Sequence, residues 1–286
     1  MNFTKMQGAA NDFVVVDARD MERDWPELAI AACDRHLGVG ADGLVLLLPS
    51  DKADFRMRIF NADGSEAEMC GNGIRCISRY ALEKGIIRSD VNELTVETMT
   101  TVNRINVERK GGKVTRFFAG IARPGFAAEE IPVKVQSGDG GLVDINGMLC
   151  YKVELIGTDL TLNLVSMGNP HAVHFIRTPV ADFPLDALGP LVERLPVFPR
   201  RINFEVSRLI DNKQIEARVW ERGVGETMAC GSGACAVAVA SKLLGYTGTE
   251  VDIKLPGGVL NVVWDGEDEV VLGGPAETVF EGIWPD

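Results

Sequence analysis

A cysteine standing ahead of a small-residue turn and a helically spaced apolar run occurs twice in this chain, and that repetition dictates its plan. The first copy is Cys70-Gly71-Asn72-Gly73, followed by Ile74, Ile77, Ala81 and Leu82. The second is Cys230-Gly231-Ser232-Gly233, followed by Ala236, Val237, Val239, Ala240, Leu243 and Leu244. The match extends backwards, since Arg58-Ile59-Phe60 and Arg218-Val219-Trp220 stand twelve residues ahead of their cysteines, and Glu66 and Glu226 also coincide. It extends forwards to Gly85 and Gly245, fifteen residues after the cysteines, where a helix of this kind should stop. An internal duplication accounts for this, and 286 residues suffice for two domains of roughly 100–200 residues each.

The elements around the repeat are mostly strands. Phe3–Met6 and Phe13–Asp17 flank a polar loop, Gln7 to Asp12, which holds Asn11. A similar loop, Met167 to Val173, holds Asn169 and His171 in the second half. Asp24 reads as the N-cap of a helix with Pro26 in its first turn and Leu28, Ile30, Ala31 and Cys33 as its buried stripe. Gly38-Val39-Gly40-Ala41-Asp42-Gly43 spells a dinucleotide fingerprint, but it follows a helix and opens a strand, the reverse of the context that motif requires. Gly120 to Pro132 has the composition of a boundary, and the last strand, Val279 to Trp284, is placed to return to the first half. The expected class is therefore α+β: two pseudo-symmetric domains, residues 1–122 with 275–286, and residues 123–274.

Charge and cysteine usage exclude several functions. The net charge of −12 is spread along the chain and argues against a nucleic-acid partner. No run approaches the ~18 apolar residues of a membrane-spanning helix, so no membrane partner is expected and the address reads as cytoplasmic. The six cysteines lack CxxC spacing, and His171 and His174, three apart on a strand or loop, point to opposite faces, so no metal site is expected.

The paired cysteines carry the chemistry. First-turn N–H groups and the helix dipole favour a thiolate, so both thiols are expected below their ordinary pKa of about 8.5. The adjacent glycines admit a carboxylate to the same N–H groups. If the two helix starts face one carboxylate-bearing carbon, one sulfur takes a proton as the other donates to the opposite face. That is a racemase or epimerase, and it needs no pyridoxal phosphate if the helix mouths carry the enolate-like charge. Cys33, Cys76, Cys150 and Cys235 read as core.

Three spelled-out stretches give this reading a family. Phe60-Asn61-Ala62-Asp63-Gly64-Ser65 runs into Cys70-Gly71-Asn72-Gly73-Ile74-Arg75-Cys76; Gly168-Asn169-Pro170-His171 follows; and Glu221-Arg222-Gly223-Val224-Gly225-Glu226-Thr227 runs into Ala229-Cys230-Gly231-Ser232-Gly233-Ala234. Over nearly its whole length the chain resembles the diaminopimelate epimerases, which interconvert LL- and meso-diaminopimelate in lysine biosynthesis. The resemblance implies that each domain wraps strands, barrel-like, around a central helix, with the active site in the cleft between the domains. It makes Cys70 and Cys230 the acid/base pair, assisted by His171 and Glu221, with no cofactor. Asn11, Asn61, Gly71, Asn72, Asn169, Asn203, Glu221, Arg222, Gly231 and Ser232 would hold the substrate. Some relatives carry glutamine where this chain has Gly43, so no side-chain contact carries over there.

Two rivals stay open at this point: another two-cysteine racemase acting on proline or hydroxyproline, and a non-catalytic dithiol redox protein. Arg222 separates the first, because a substrate without a second carboxylate leaves it no anionic partner. A homodimer is expected only from the general prevalence of two-fold assemblies.

Overall fold

A computed structural model describes residues 1–134 and 142–285. In chain order the elements are β1 (Asn2–Gly8), β2 (Asn11–Asp17), α1 (Trp25–Cys33), β3 (Gly43–Leu48), β4 (Phe55–Asn61), β5 (Glu66–Ala67), α2 (Gly71–Glu83), β6 (Glu93–Glu97), β7 (Val102–Lys110) and β8 (Lys113–Ala122). Next come β9 (Leu142–Ile145), β10 (Met148–Leu155), β11 (Thr158–Ser166), β12 (Pro170–Ile176), a single 3-10 turn (Val180–Asp182) and α3 (Leu185–Glu193). The chain closes with β13 (Asn203–Asp211), β14 (Gln214–Glu221), β15 (Gly225–Thr227), α4 (Gly231–Leu243), β16 (Glu250–Leu255), β17 (Gly258–Val263), β18 (Val270–Gly274) and β19 (Glu277–Ile283). Two compact units result, one built from Met1–Gly120 and the chain from Gly273 onward, the other from Ile121–Leu272.

In the first unit the strands neighbour one another in the order β19, β1, β2, β3, β4, β6, β7, β8. All pairings are antiparallel except β2–β3 and β4–β6. The inner face of this wrap buries Met6, Phe13, Val15, Val45, Ile59, Leu94, Ile105 and Phe117 against Ile74, Ile77 and Ala81 of α2. Burial on both faces explains the unbroken apolar run of β2: Phe13 and Val15 face α2, whereas Val14 and Val16 pack with α1. Asp24 caps α1 by accepting the Glu27 N–H at 3.1 Å, worth about 1 kcal/mol. The buried stripe of α1 is Trp25, Leu28, Ala29, Ala32 and Cys33. Ile30 and Ala31 are exposed, contrary to expectation, because at 100° per residue each lies about 130° from the centre of that stripe, one on either side.

The second unit repeats the plan with β9, β10, β11, β12, β13, β14, β16 and β17 as successive neighbours and parallel pairs at β12–β13 and β14–β16. Here α4 packs on β11, β12, β13, β14, β16 and β17. On the other face Leu185, Leu188 and Val192 of α3 pack with Leu162, Leu164, Ala172 and Phe204. The protein is thus mixed α+β, strand-rich, with four α-helices among the described residues.

The repeated residues now have structural reasons. Arg58 grips Glu66 through two bonds of 2.7 and 2.8 Å, and Arg218 grips Glu226 through two of 2.8 and 2.9 Å. Each fork ties the short strand ahead of the helix to its neighbour. Gly85 and Gly245 end the helices with φ of +68° and +74°, conformations that a side chain would strain. Both expected loops are tighter than their sequences suggest. Gln7 and Gly8 pair with Asp12 and Asn11, which leaves Ala9 and Ala10 as a two-residue hairpin. In the second unit Pro170–Val173 already belongs to β12, so His171 is a buried strand residue rather than a loop residue.

Candidate active site

Cys70 and Cys230 are the N-caps of α2 and α4, each in extended conformation and each accepting the N–H of the glycine three residues on, at 3.4 Å. The next N–H groups, those of Gly71, Asn72, Gly231 and Ser232, point out of the first turns, where helix geometry gives them no internal partner. Each cap therefore presents unpartnered helix N–H groups beside a sulfur.

In the first unit the Cys70 thiol donates to Asn11 Oδ1 at 3.8 Å, and Asn72 Nδ2 donates to the same oxygen at 3.2 Å. Asn11 Nδ2 in turn donates to Asp42 Oδ2 at 2.5 Å. Arg35 bridges Asp42 and Asp12, and Lys5 Nζ lies 2.6 Å from Asp12. Burial alone would raise the Asp12 carboxyl, but Arg35 and Lys5 together bring it down to about 2. Asn72 is clamped from behind by the buried Arg75, whose Nη2 donates to its Oδ1. Asn61 lies exposed at the end of β4, with its amide on Ser65 Oγ at 2.9 Å.

The second unit builds the same arrangement from different side chains. Asn169 Nδ2 donates to Ser232 Oγ at 3.2 Å, and Ser232 Oγ lies 3.5 Å from Cys230 Sγ. His171 sits behind them with no exposed surface, Nε2 at 2.9 Å from Asn169 Oδ1 and Nδ1 at 2.7 Å from Glu205 Oε1. Asn203 Nδ2 donates to the Pro170 carbonyl and its Oδ1 takes the Arg222 backbone N–H at 2.9 Å. Glu221 accepts from Thr227 Oγ1 at 2.5 Å, and the exposed Arg222 side chain donates to the Arg200 carbonyl at 3.0 Å.

Cys230 departs from the helix-mouth expectation. Burial, reinforced by the nearby Glu221 and Glu205 charges, raises it well above the ordinary thiol range, and the bonds from Ser232 and Gly233 only partly offset this. Dehydration of the sulfur outweighs the bonds that favour its charge, so Cys230 rests as a thiol. Cys33 and Cys150 are raised by burial to about 11 and Cys76 to about 12, as inert core thiols should be.

Sequence reasoning passed over Arg75 and Glu205, both wholly buried beside these residues. A signal for Glu205 existed. In the first unit Phe13 pairs with Gly43 and Val15 with Val45; in the second His171 pairs with Asn203 and Val173 with Glu205. The repeat therefore lays His171 over Phe13 and Glu205 over Val45, two polar groups on inward strand positions that the first half fills with hydrocarbon.

Comparison with known proteins agrees with this architecture. A sequence model of the diaminopimelate epimerase family matches residues 3–123 and 163–279. A diaminopimelate epimerase of Methanococcus maripaludis is 45% identical over 286 residues, covering 99% of both chains. One of Pelotomaculum thermopropionicum is 46% identical over 288 residues, covering 100% of this chain and 99% of the other. Among solved structures, a Bacillus anthracis phenazine biosynthesis protein of the PhzF family superimposes with a TM-score of 0.69 at 18% identity, covering 99% of this chain and 98% of that one. A hydroxyproline epimerase from Agrobacterium vitis, with trans-4-hydroxy-L-proline bound, gives 0.67 at 14% identity, covering 99% and 91%. These last two share the fold. On the full-length sequence matches and the family-wide pattern, the chain belongs to the diaminopimelate epimerase family.

Proposed function

We propose that this chain interconverts LL- and meso-diaminopimelate in lysine biosynthesis, without pyridoxal phosphate, using Cys70 and Cys230 as the two proton-transfer groups. Full-length identity near 45% to diaminopimelate epimerases supports the reaction. The observation that carries the mechanism is the matched capping of α2 and α4 by a cysteine. The first-turn N–H groups of Gly71, Asn72, Gly231 and Ser232 bind the carboxylate at the reacting carbon and stabilise its enolate-like form. Cys230, resting as a thiol, is the acid ready to donate; the complementary role of base falls to Cys70 once it has shed its own proton, so that the working pair holds one proton between them. After one turnover the roles are exchanged, so a pH profile reports the couple rather than either residue.

The remaining predicted residues hold the substrate. Asn11, Asn61, Asn169 and Asn203 serve ammonium and carboxylate, Arg222 offers its fork to the distal carboxylate, and His171 and Glu221 assist at the reacting centre. The enzyme works in the cytoplasm, where amino-acid biosynthesis runs, and as a homodimer, which size-exclusion chromatography checks. The central test is incubation with LL-diaminopimelate in heavy water without added cofactor. Deuterium should enter one α-carbon as meso product forms, and Cys70→Ala or Cys230→Ala should abolish interconversion. Full activity in either variant would end the two-base reading.

A further inference from the structure

Beneath the α4 cap lies a line of hydrogen bonds that runs in one direction. Glu205 Oε1, His171 Nδ1 and Nε2, Asn169 Oδ1 and Nδ2, Ser232 Oγ and Cys230 Sγ follow one another with separations of 2.7, 2.9, 3.2 and 3.5 Å. Because Asn169 Oδ1 can only accept, His171 Nε2 carries a hydrogen. The 2.7 Å contact between Nδ1 and Glu205 Oε1 holds one more. The pair is then net neutral, as two side chains with no exposed surface should be, since an isolated buried charge is costly.

Two observations place that second proton on Glu205. Its other oxygen, Oε2, is buried and has no hydrogen-bond partner among the described residues, a poor setting for a carboxylate. Burial also raises this carboxyl, a push increased by Glu221 and partly countered by His171. Glu205 O–H thus donates to Nδ1, Nε2–H to Asn169 and the Asn169 amide to Ser232, whose own hydrogen stays available to Cys230 3.5 Å away.

Gly233 makes the approach possible. A Cβ there would come within 2.9 Å of Glu205 Oε1 and 3.3 Å of Cys230 Cβ. At Gly73 the corresponding neighbours are the methyl carbons of Ile59 and Val45, at 3.2 and 3.7 Å. Only one of the two repeated caps has a protonated polar base beneath it.

We propose that Glu205 is a positioning residue for the epimerisation proposed above: it fixes His171 with Nε2–H on Asn169, and so sets the whole line with the Ser232 hydroxyl directed at Cys230. The groups facing Glu205 are His171 from β12, Glu221 from β14 and Cys230 from α4. Losing the shared proton at high pH leaves a buried negative charge beside Cys230 and removes the enforced direction.

The test compares Glu205→Gln with Glu205→Leu. Glutamine can donate to Nδ1 as the protonated acid does, so it should stay within about threefold of wild-type kcat near neutral pH, with the alkaline fall in rate displaced upward. Leucine leaves Nδ1 without its donor and should lose roughly tenfold or more. The readout independent of turnover is the 15N spectrum of the His171 ring, assignable because the chain has three histidines. Nε2 should be protonated in wild type and Glu205→Gln, and the tautomers mixed in Glu205→Leu. A bare Nε2 in wild type, a Gln variant no better than Leu, or a Leu variant with the wild-type rate and pH profile overturns the proposal. The ring spectrum is read without substrate, so failure of wild type to epimerise diaminopimelate would strike the proposed function and leave this arrangement standing.

Discussion

Arg75 Nη2 lies 2.5 Å from Asn72 Oδ1, one turn apart on α2, and the arginine has no exposed surface. Its Nη1 donates to the Gly71 carbonyl at 2.9 Å and its Nε to the Pro275 carbonyl at 3.3 Å. A cation inside the wrap therefore holds the first turn of α2, the turn that carries Gly71 and Asn72. Arg75→Met keeps volume but leaves these acceptors without their donor. It should cost about 2–4 kcal/mol in urea unfolding and raise KM for diaminopimelate, because Asn72 is no longer fixed.

Asp12 makes stability depend on acid. Its folded value of about 2 lies below an unfolded value of about 3.9. The stabilisation is fully present above the unfolded value and disappears as pH falls through the folded one. With its side chain 20% exposed, the carboxylate contributes about 2 kcal/mol. Asp12→Asn should unfold more easily than wild type by that order near neutral pH, and the two denaturation curves should converge as the pH approaches about 2. A gap that persists undiminished in acid would locate the effect elsewhere.

Ala9 and Ala10 turn the β1–β2 hairpin with φ of +54° and +63°, a left-handed region that costs residues with a Cβ roughly 1–2 kcal/mol each. Ala10 is exposed, so nothing packs on its methyl group. Ala10→Gly should raise the thermal midpoint, by the equivalent of about 1 kcal/mol after the added chain entropy of glycine.

Ser232 offers a hydrogen bond to Cys230 that eases ionisation of the sulfur. Ser232→Ala should slow alkylation of Cys230 by iodoacetamide roughly tenfold, the scale of one hydrogen bond to a charged group, as followed by peptide mass spectrometry. Epimerase kcat should fall with it. An unchanged alkylation rate would mean that the hydroxyl does not reach the thiolate.

The duplicated caps, the strands and the closing glycines were legible because each depends on local chemistry: a turn, a period, a helix stop. Glu205 was not, since a glutamate on an alternating strand ordinarily faces water, and only its register against Val173 beside His171 turns it inward. Arg75 was hidden for a similar reason, because its acceptors include the carbonyl of Pro275, some 200 residues away in the sequence. Ile30 misled through composition, since an isoleucine beside a buried residue need not share its face. The state of Cys230 depends on how deeply the sulfur is dehydrated, and spacing alone does not encode that.

The pairing of β19 with β1 has a consequence for how the protein is made. Met1 and Trp284 exchange hydrogen bonds of 2.8 and 2.7 Å and extend the pairing of β1 with β19. During translation the first unit must wait for a strand that leaves the ribosome only after the whole of the second. The second unit, continuous in sequence, can therefore complete before the first, whose wrap stays open until β19 arrives.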